Sequence, residues 1–210
     1  MQITIVGTGN MARGIATRTL AGGHDVTLVG TDRAKAEALA GDLGGQGGGG
    51  SVQAGDTVGG DAVVLAVPYP AAAAVLDAHR DDLAGAVIVD ITNPVDFSTF
   101  EPLSLDAGSA AQEIAGAAPA GAKVVKAFNT TFAGTLAEGA VAGQPLDVFI
   151  AGDDDGAKAT VKQLVEDGGM RAVDAGPLAR ARELEALGYL HMALQDPLGT
   201  GFSSTVKVLA

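Results

Sequence analysis

The sequence contains no cysteine and no tryptophan, and its three histidines stand far apart, at positions 24, 79 and 191. Without thiols there are no disulfides, no thiolate nucleophile and no cysteine-based zinc site, and no metal centre is expected. Basic residues are also scarce: 13 Lys and Arg stand against 25 Asp and Glu, a formal net charge of -12. A surface of that sign repels phosphate backbones and anionic membranes, so neither nucleic acid nor membrane is an expected partner. No apolar run reaches the roughly eighteen residues of a membrane span. The opening "MQITIVG" begins directly on an apolar strand without a basic segment or cleavage-like site, so a cytoplasmic location is the expectation.

What is present suits one α/β domain of 210 residues, 47% of them hydrophobic. Apolar, β-rich runs ("QITIVG", "DVTLVG", "AVVLAV", "AVIVDI", "KVVKAF", "DVFIAG", "MRAVDAG") alternate with Ala-rich stretches of helical period. Most of the runs are continuous rather than alternating, as expected of strands covered on both faces of a parallel sheet. Helices are predicted at about 10–20, 34–42, 70–79, 157–167 and 178–194. The Gly-rich "GGQGGGGS", Gly44 to Ser51, reads as a flexible surface loop. "FSTFEPLSLDAGSAAQEIAGAAP" reads as a strandless loop and helix crossing the carboxyl edge of the sheet. "GDDDGAK", Gly152 to Lys158, lacks the spaced ligands of a calcium loop and reads as an N-cap.

The first strand runs into "VGTGNMARG", giving Gly7, Gly9 and Ala12 in the order G-x-G-x-x-A. Gly7 permits the tight turn, Gly9 a close approach of backbone to pyrophosphate, and Ala12 close packing of helix on strand. The phosphates then lie at a helix N-terminus. The second strand ends in "LVGTDRAK", where a dinucleotide-binding fold commonly has an acid for the ribose hydroxyls. Gly30 removes the repulsion that a carboxylate would exert on a 2'-phosphate. Thr31, Arg33 and Lys35 supply a hydroxyl, a planar fork and a point charge, a combination that favours NADP(H) over NAD(H). Asp32 either points to solvent or caps the helix that follows.

Ligands of open α/β sheets bind beyond the carboxyl ends of the strands. Ala66, Val67, Pro68 and Tyr69 in "LAVPYP", Thr92 and Asn93 in "DITNP", and Ala127 in "VVKAFNTTFAG" are therefore candidates for the nicotinamide half of the cofactor site. Phe128, Asn129 and Thr130 follow, and with Met192 on the last helix they are candidates for a substrate cleft. No catalytic residue is assigned. His191, near Tyr189 and Met192, faces either the cleft or a partner subunit.

Together and in order, "VGTGNMARG", "VGTDRAK", "AVPY", "DITNP", "KAFNT" with "FAG", "AGDDDGAK" and "DAGPLARARELE" resemble the NADPH-dependent reductases of the deazaflavin coenzyme F420. The same motifs occur in the oxidoreductase domains of the mammalian transmembrane metalloreductases. The resemblance runs from Ile3 to about Leu194. It implies a Rossmann-type, doubly wound, mostly parallel sheet with a small C-terminal α/β extension. Residues 1–135 would bind NADP(H), and residues 136–210 would close a cleft where a deazaflavin or flavin ring stacks. Carried over by position, Thr8, Gly9, Asn10 and Met11 would hold the pyrophosphate, Thr31, Arg33 and Lys35 the 2'-phosphate, and Val67, Pro68 and Tyr69 the nicotinamide side. Asn129 stands where archaeal members have a histidine, which places the chain nearer the bacterial and metalloreductase branch. The implied reaction is hydride transfer between NADP(H) and coenzyme F420. The alternatives are an NADPH-dependent flavin, quinone or ferric reductase and a non-catalytic NADPH-binding sensor. The expected partner is a small-molecule redox cofactor as substrate, and the apolar last helix makes a homodimer plausible.

Overall fold

The computed structural model describes residues 1–45, 49–96 and 98–209. Part of the Gly-rich segment (46–48) and Phe97, where the crossover segment begins, lie outside the described residues.

Eight strands form one sheet: β1 (Gln2–Val6), β2 (Asp25–Val29), β3 (Val52–Ala54), β4 (Ala62–Leu65), β5 (Val87–Asp90), β8 (Lys123–Lys126), β11 (Asp147–Gly152) and β12 (Arg171–Gly176). Between them lie two short hairpins, β6 (Val95–Asp96) with β7 (Glu101–Pro102), and β9 (Ala140–Val141) with β10 (Gln144–Pro145). The sheet order is β12-β11-β8-β5-β4-β1-β2-β3. From β3 to β8 all neighbours are parallel, in the 3-2-1-4-5-6 order of a Rossmann sheet. β11 runs antiparallel to β8 and carries β12 parallel to itself.

The helices are α1 (Asn10–Ala21), α2 (Arg33–Gly44), α3 (Tyr69–Ala78), α4 (Ala110–Ala117), α5 (Ala133–Glu138), α6 (Asp155–Asp167), α7 (Ala181–Ala193) and α8 (Gln195–Leu198). They cover both faces, which is why the central strands tolerate continuous apolar runs. β4 is buried throughout, and its residues alternate between two cores: Ala62 and Val64 join Ile3, Ile15 and Leu28 on one side, Val63 and Leu65 join Leu76, Ile88 and Ile114 on the other. β5 and β8 divide in the same way at Ile88/Val89 and Val124/Val125.

The "GDDDGAK" run is an N-cap, as expected: Asp154 accepts from the Ala157 N–H at 2.8 Å. Four sequence expectations need correction. The crossover segment contains β7, a two-residue strand too short to show a period. The end of the Gly-rich segment is packed rather than free, since a Cβ at Gly50 would lie 1.8 Å from the His24 carbonyl oxygen. α5 was not anticipated. The single helix predicted over 178–194 begins as a 3-10 turn at Leu178–Arg180, continues as α7, and passes at Leu194 into α8.

Candidate active site

The carboxyl ends of the parallel strands open on one side, and the turn after β1 sets what happens there. Gly7 has φ +131°, and a Cβ on it would lie 2.1 Å from the Ala66 carbonyl oxygen, so only glycine lets β1 turn beside β4. α1 then starts from Gly9, which offers no side-chain cap, and its first turn carries no acid. Among the other helices around the sheet, α3 and α7 likewise start without a side-chain cap, whereas three are capped. Asp32 caps α2, Ser109 caps α4 and Asp154 caps α6. A Cβ at Gly9 would meet nothing within 4 Å, so the first N–H groups of α1 face open space at the positive end of the helix dipole.

That space is a cleft of about 830 Å³. Gly9, Asn10 and Met11 line it from α1, Ala66, Val67, Pro68 and Tyr69 from the β4–α3 turn, and Ile91, Thr92 and Asn93 from the end of β5. Asn129, Thr131 and Phe132 follow β8, Ala133 and Gly134 open α5, and Met192, Gly201 and Phe202 close the far side. The structure thus gathers Gly9, Asn10, Met11, Ala66, Val67, Pro68, Tyr69, Asn93, Asn129 and Met192 around one space. Gly7 and Thr8 form the turn beneath α1, and a Cβ at Gly30 would press on the Thr8 side chain at 2.9 Å.

Three candidates lie behind the wall rather than in it: Ala127, Phe128 and Thr130 are buried and outside the cleft lining. Phe128 has φ +61° and its carbonyl accepts from the Thr131 N–H at 3.1 Å and the Thr131 hydroxyl at 2.6 Å. This turn drops the Phe128 ring into the core and leaves Asn129 and Thr131 toward the cleft. Sequence reasoning missed Ile91, Thr131, Phe132, Ala133, Gly134, Gly201 and Phe202. "FAG" was a visible motif there, but nothing local ties Phe202 to a site.

Two asparagines lock the floor. Asn93 donates to the Asn129 carbonyl at 2.8 Å, and Asn129 Nδ2 donates to Asn93 Oδ1 at 2.9 Å and to the Leu184 carbonyl at 2.8 Å. α7 crosses directly above, with Gly188 so close that a Cβ would come 2.8 Å from Asn93 Oδ1. Among the described residues, buried Thr92 Oγ1 and Asn129 Oδ1 have no hydrogen-bond partner. Both residues line the cleft, and leaving such atoms unpaired costs about 1–3 kcal/mol each.

Below the floor lies a buried ionic group. Lys126 is fully buried and donates to Asp90 Oδ2 at 2.7 Å and to the Thr92 carbonyl, and it pairs with Glu185 Oε1 at 2.8 Å. Glu185, on α7, also accepts from the Ala110 and Ala111 N–H groups at the start of α4. One lysine therefore joins β5, β8, α4 and α7, and it fixes the turn that carries Thr92 and Asn93. On the cleft wall, burial raises the Tyr69 hydroxyl to about 12, helped by its hydrogen bond to the Glu113 carboxylate, so it is a neutral donor at ordinary pH.

At the end of β2 the cations are engaged. Arg33 donates to Glu37 Oε1 at 2.9 Å and also pairs with Asp56, which raises its pKa further. Asp32 takes the capping role, accepting from the Lys35 N–H at 3.3 Å, and Lys35 Nζ lies 3.6 Å from the same carboxylate. Glu37 and Asp56 thus provide the counter-anions that cations at a helix N-terminus need.

The family model for NADP oxidoreductase, coenzyme F420-dependent, matches residues 2–94. The F420-dependent NADP reductase of Methanothermobacter thermautotrophicus is 30% identical over 205 residues, which span 89% of this chain and 86% of that protein. The chain belongs to the F420-dependent NADP oxidoreductase family. Another relative, the metalloreductase STEAP3 of Rattus norvegicus, is 31% identical over 186 residues, but the chain spans only 36% of its length. The crystal structure of a candidate F420-dependent NADP reductase from Arthrobacter sp. FB24 superposes with a TM-score of 0.80 at 30% identity, covering 99% of both chains. A reductive aminase from Aspergillus terreus, solved with NADPH, shares the fold at 19% identity. This family member is an NADP-dependent oxidoreductase with a Rossmann-type sheet. Among its described residues no helix is long and apolar enough to cross a membrane.

Proposed function

We propose that the protein transfers hydride between NADP(H) and the deazaflavin coenzyme F420. The observation that carries this reading is the cleft itself, which runs from the uncapped start of α1 to an aromatic far wall. Gly9, Asn10 and Met11 hold the pyrophosphate on free N–H groups, with Thr8 in the turn beneath. The unpaired Thr92 Oγ1 and Asn129 Oδ1 are the partners for the nicotinamide carboxamide, and Val67, Pro68 and Tyr69 wall its other side. Thr31, Arg33 and Lys35 take the 2'-phosphate, with exposed Asp56 giving up its place beside Arg33. Residues 1–135 hold the dinucleotide, and Met192 and Phe202 of residues 136–210 close the cleft over it.

The bound dinucleotide supplies a hydride at nicotinamide C4 for C5 of the deazaflavin. The protein's part is to hold two rings face to face and exclude water, which needs no acid–base dyad at the transferring atoms. The test is NADPH oxidation measured in parallel with coenzyme F420, FMN, FAD and ferric citrate. Turnover with coenzyme F420 is expected. Turnover confined to FMN, FAD or ferric citrate identifies a flavin or ferric reductase instead, and NADPH binding with no turnover identifies a sensor.

A further inference from the structure

The buried ionic group below the cleft floor holds one cation against two carboxylates, and its hydrogen bonds account for every donor and acceptor in it. All three Lys126 Nζ protons have an acceptor: Asp90 Oδ2 at 2.7 Å, Glu185 Oε1 at 2.8 Å and the Thr92 carbonyl. Asp90 Oδ1 accepts from the Thr92 N–H at 2.8 Å. Glu185 accepts from the Ala110 N–H at 3.0 Å through Oε2 and from the Ala111 N–H at 3.2 Å through Oε1. Every carboxylate oxygen thus faces a donor, and none faces an acceptor for a carboxyl proton. The group is buried with a net negative charge, Asp90 and Lys126 fully so and Glu185 nearly so.

Little around it offsets that charge. The positive end of α4, at Ala110 and Ala111, contributes about half a unit. Glu113, in the first turn of α4, adds a further carboxylate, which accepts from the Tyr69 hydroxyl on the cleft wall. Arg182 on α7 is exposed and paired with Glu183. None of the described residues that line the cleft is Asp, Glu, Lys or Arg. Thr92 joins the two regions, since its backbone is held by the ionic group and its side chain, with Oγ1 unpaired, lines the cleft.

We propose that this buried excess of negative charge tunes the bound dinucleotide, stabilising NADP+ relative to NADPH, and that Asp90 and Glu185 are the residues that set it. When the C4–H bond of the dihydronicotinamide breaks, the hydride takes both electrons to the acceptor and leaves the ring with a positive charge. A negative charge behind Thr92 attracts that cation and has no such hold on the neutral reduced ring, so it makes NADPH the stronger hydride donor. The inference rests on the NADP(H) reading above and is independent of the acceptor.

The experiment measures dissociation constants of NADP+ and NADPH by isothermal titration for the wild type, Asp90→Asn and Glu185→Gln. Each substitution leaves Lys126 with one carboxylate, a neutral pair. The ratio of the NADP+ Kd to the NADPH Kd is expected to rise roughly three- to tenfold in both variants, and the rise is expected to persist as salt is added, because the charge is buried. Glu185→Asp, which keeps the charge, is expected to leave the ratio within about twofold of the wild type even where both nucleotides weaken. Equal weakening of the two nucleotides in Asp90→Asn and Glu185→Gln, or a fall in the ratio, overturns the proposal and leaves the group a structural tie. Should neither variant fold, Glu113→Gln decides, because Glu113 is only half-buried and stands outside the Lys126 group. A ratio raised about twofold in that variant supports the proposal, and an unchanged ratio overturns it. A wild type that binds neither nucleotide overturns the NADP(H) reading itself, and the inference falls with it.

Discussion

Arg33 has two claims on its guanidinium, carboxylates on one hand and the proposed 2'-phosphate on the other. Exposed ion pairs are worth about 0–1 kcal/mol, so Asp56, whose side chain is 79% exposed, is a partner that a phosphate can displace. Asp56→Asn is accordingly expected to tighten NADPH two- to fivefold, roughly the value of such a pair, by isothermal titration. Tighter NADH to the same extent would remove the phosphate from the explanation. Lys126 is the opposite case: its charge is fully buried, and Lys126→Met leaves Asp90 and Glu185 facing each other without it. A loss of about 3–5 kcal/mol in urea unfolding is expected. Both residues were present in quoted motifs, "TDRAK" and "KVVKAF", but only Arg33 was legible as functional. A lysine inside a strand gives no sign of burial until its carboxylate partners, 36 residues before it and 59 after it in the chain, are known to converge.

At the scale of elements, α1 and α7 form the site from opposite sides. The glycine motif made the start of α1 readable, because its chemistry is local: a turn, an open approach, an uncapped helix. α7 was readable only as a helix. That it presses Gly188 against Asn93 and Asn129 follows from the chain's return over the carboxyl edge, which no local pattern shows. A methyl group at Gly188 has to push α7 off the two asparagines, so Gly188→Ala is expected to cost about 1–3 kcal/mol. It should also lower kcat more than it raises the KM for NADPH, because the pyrophosphate end is untouched. Unchanged kcat would show that the Asn93–Asn129 floor does not position the reacting rings. The two-residue strand β7 and the six-residue α5 were missed because neither spans enough residues to show a period. Phe128 was misplaced because its left-handed turn reverses which side chains face out.

For the molecule as a whole, the C-terminal residues that bring Phe202 to the cleft are tied back to the far edge of the sheet. Burial would raise the Asp147 carboxyl, but hydrogen bonds from Arg171, Lys207 and the Val208 N–H outweigh it and hold the group at about 2. The folded value lies below the ordinary 3.8, so this stabilisation, on the order of 2 kcal/mol, is complete above pH 4 and lost as pH falls toward 2. Burial lowers His191 below 6.5 against the opposing effect of the Thr130 carbonyl, so the unfolded chain takes up that proton first. Stability is thus expected to fall in two stages on acidification, one beginning near pH 6.5 and one below pH 4, in urea midpoints measured against pH. His191→Gln should remove the first stage and Lys207→Met should weaken the second. The central claim, that this cleft reads NADP(H) through its phosphates, is tested most directly by measuring dissociation constants of NADPH and NADH for the wild type and Arg33→Ala. The account predicts that the wild type prefers NADPH, and that the substitution weakens NADPH about tenfold or more while leaving NADH within about twofold. Equal weakening of both, or a wild type without preference, would contradict it.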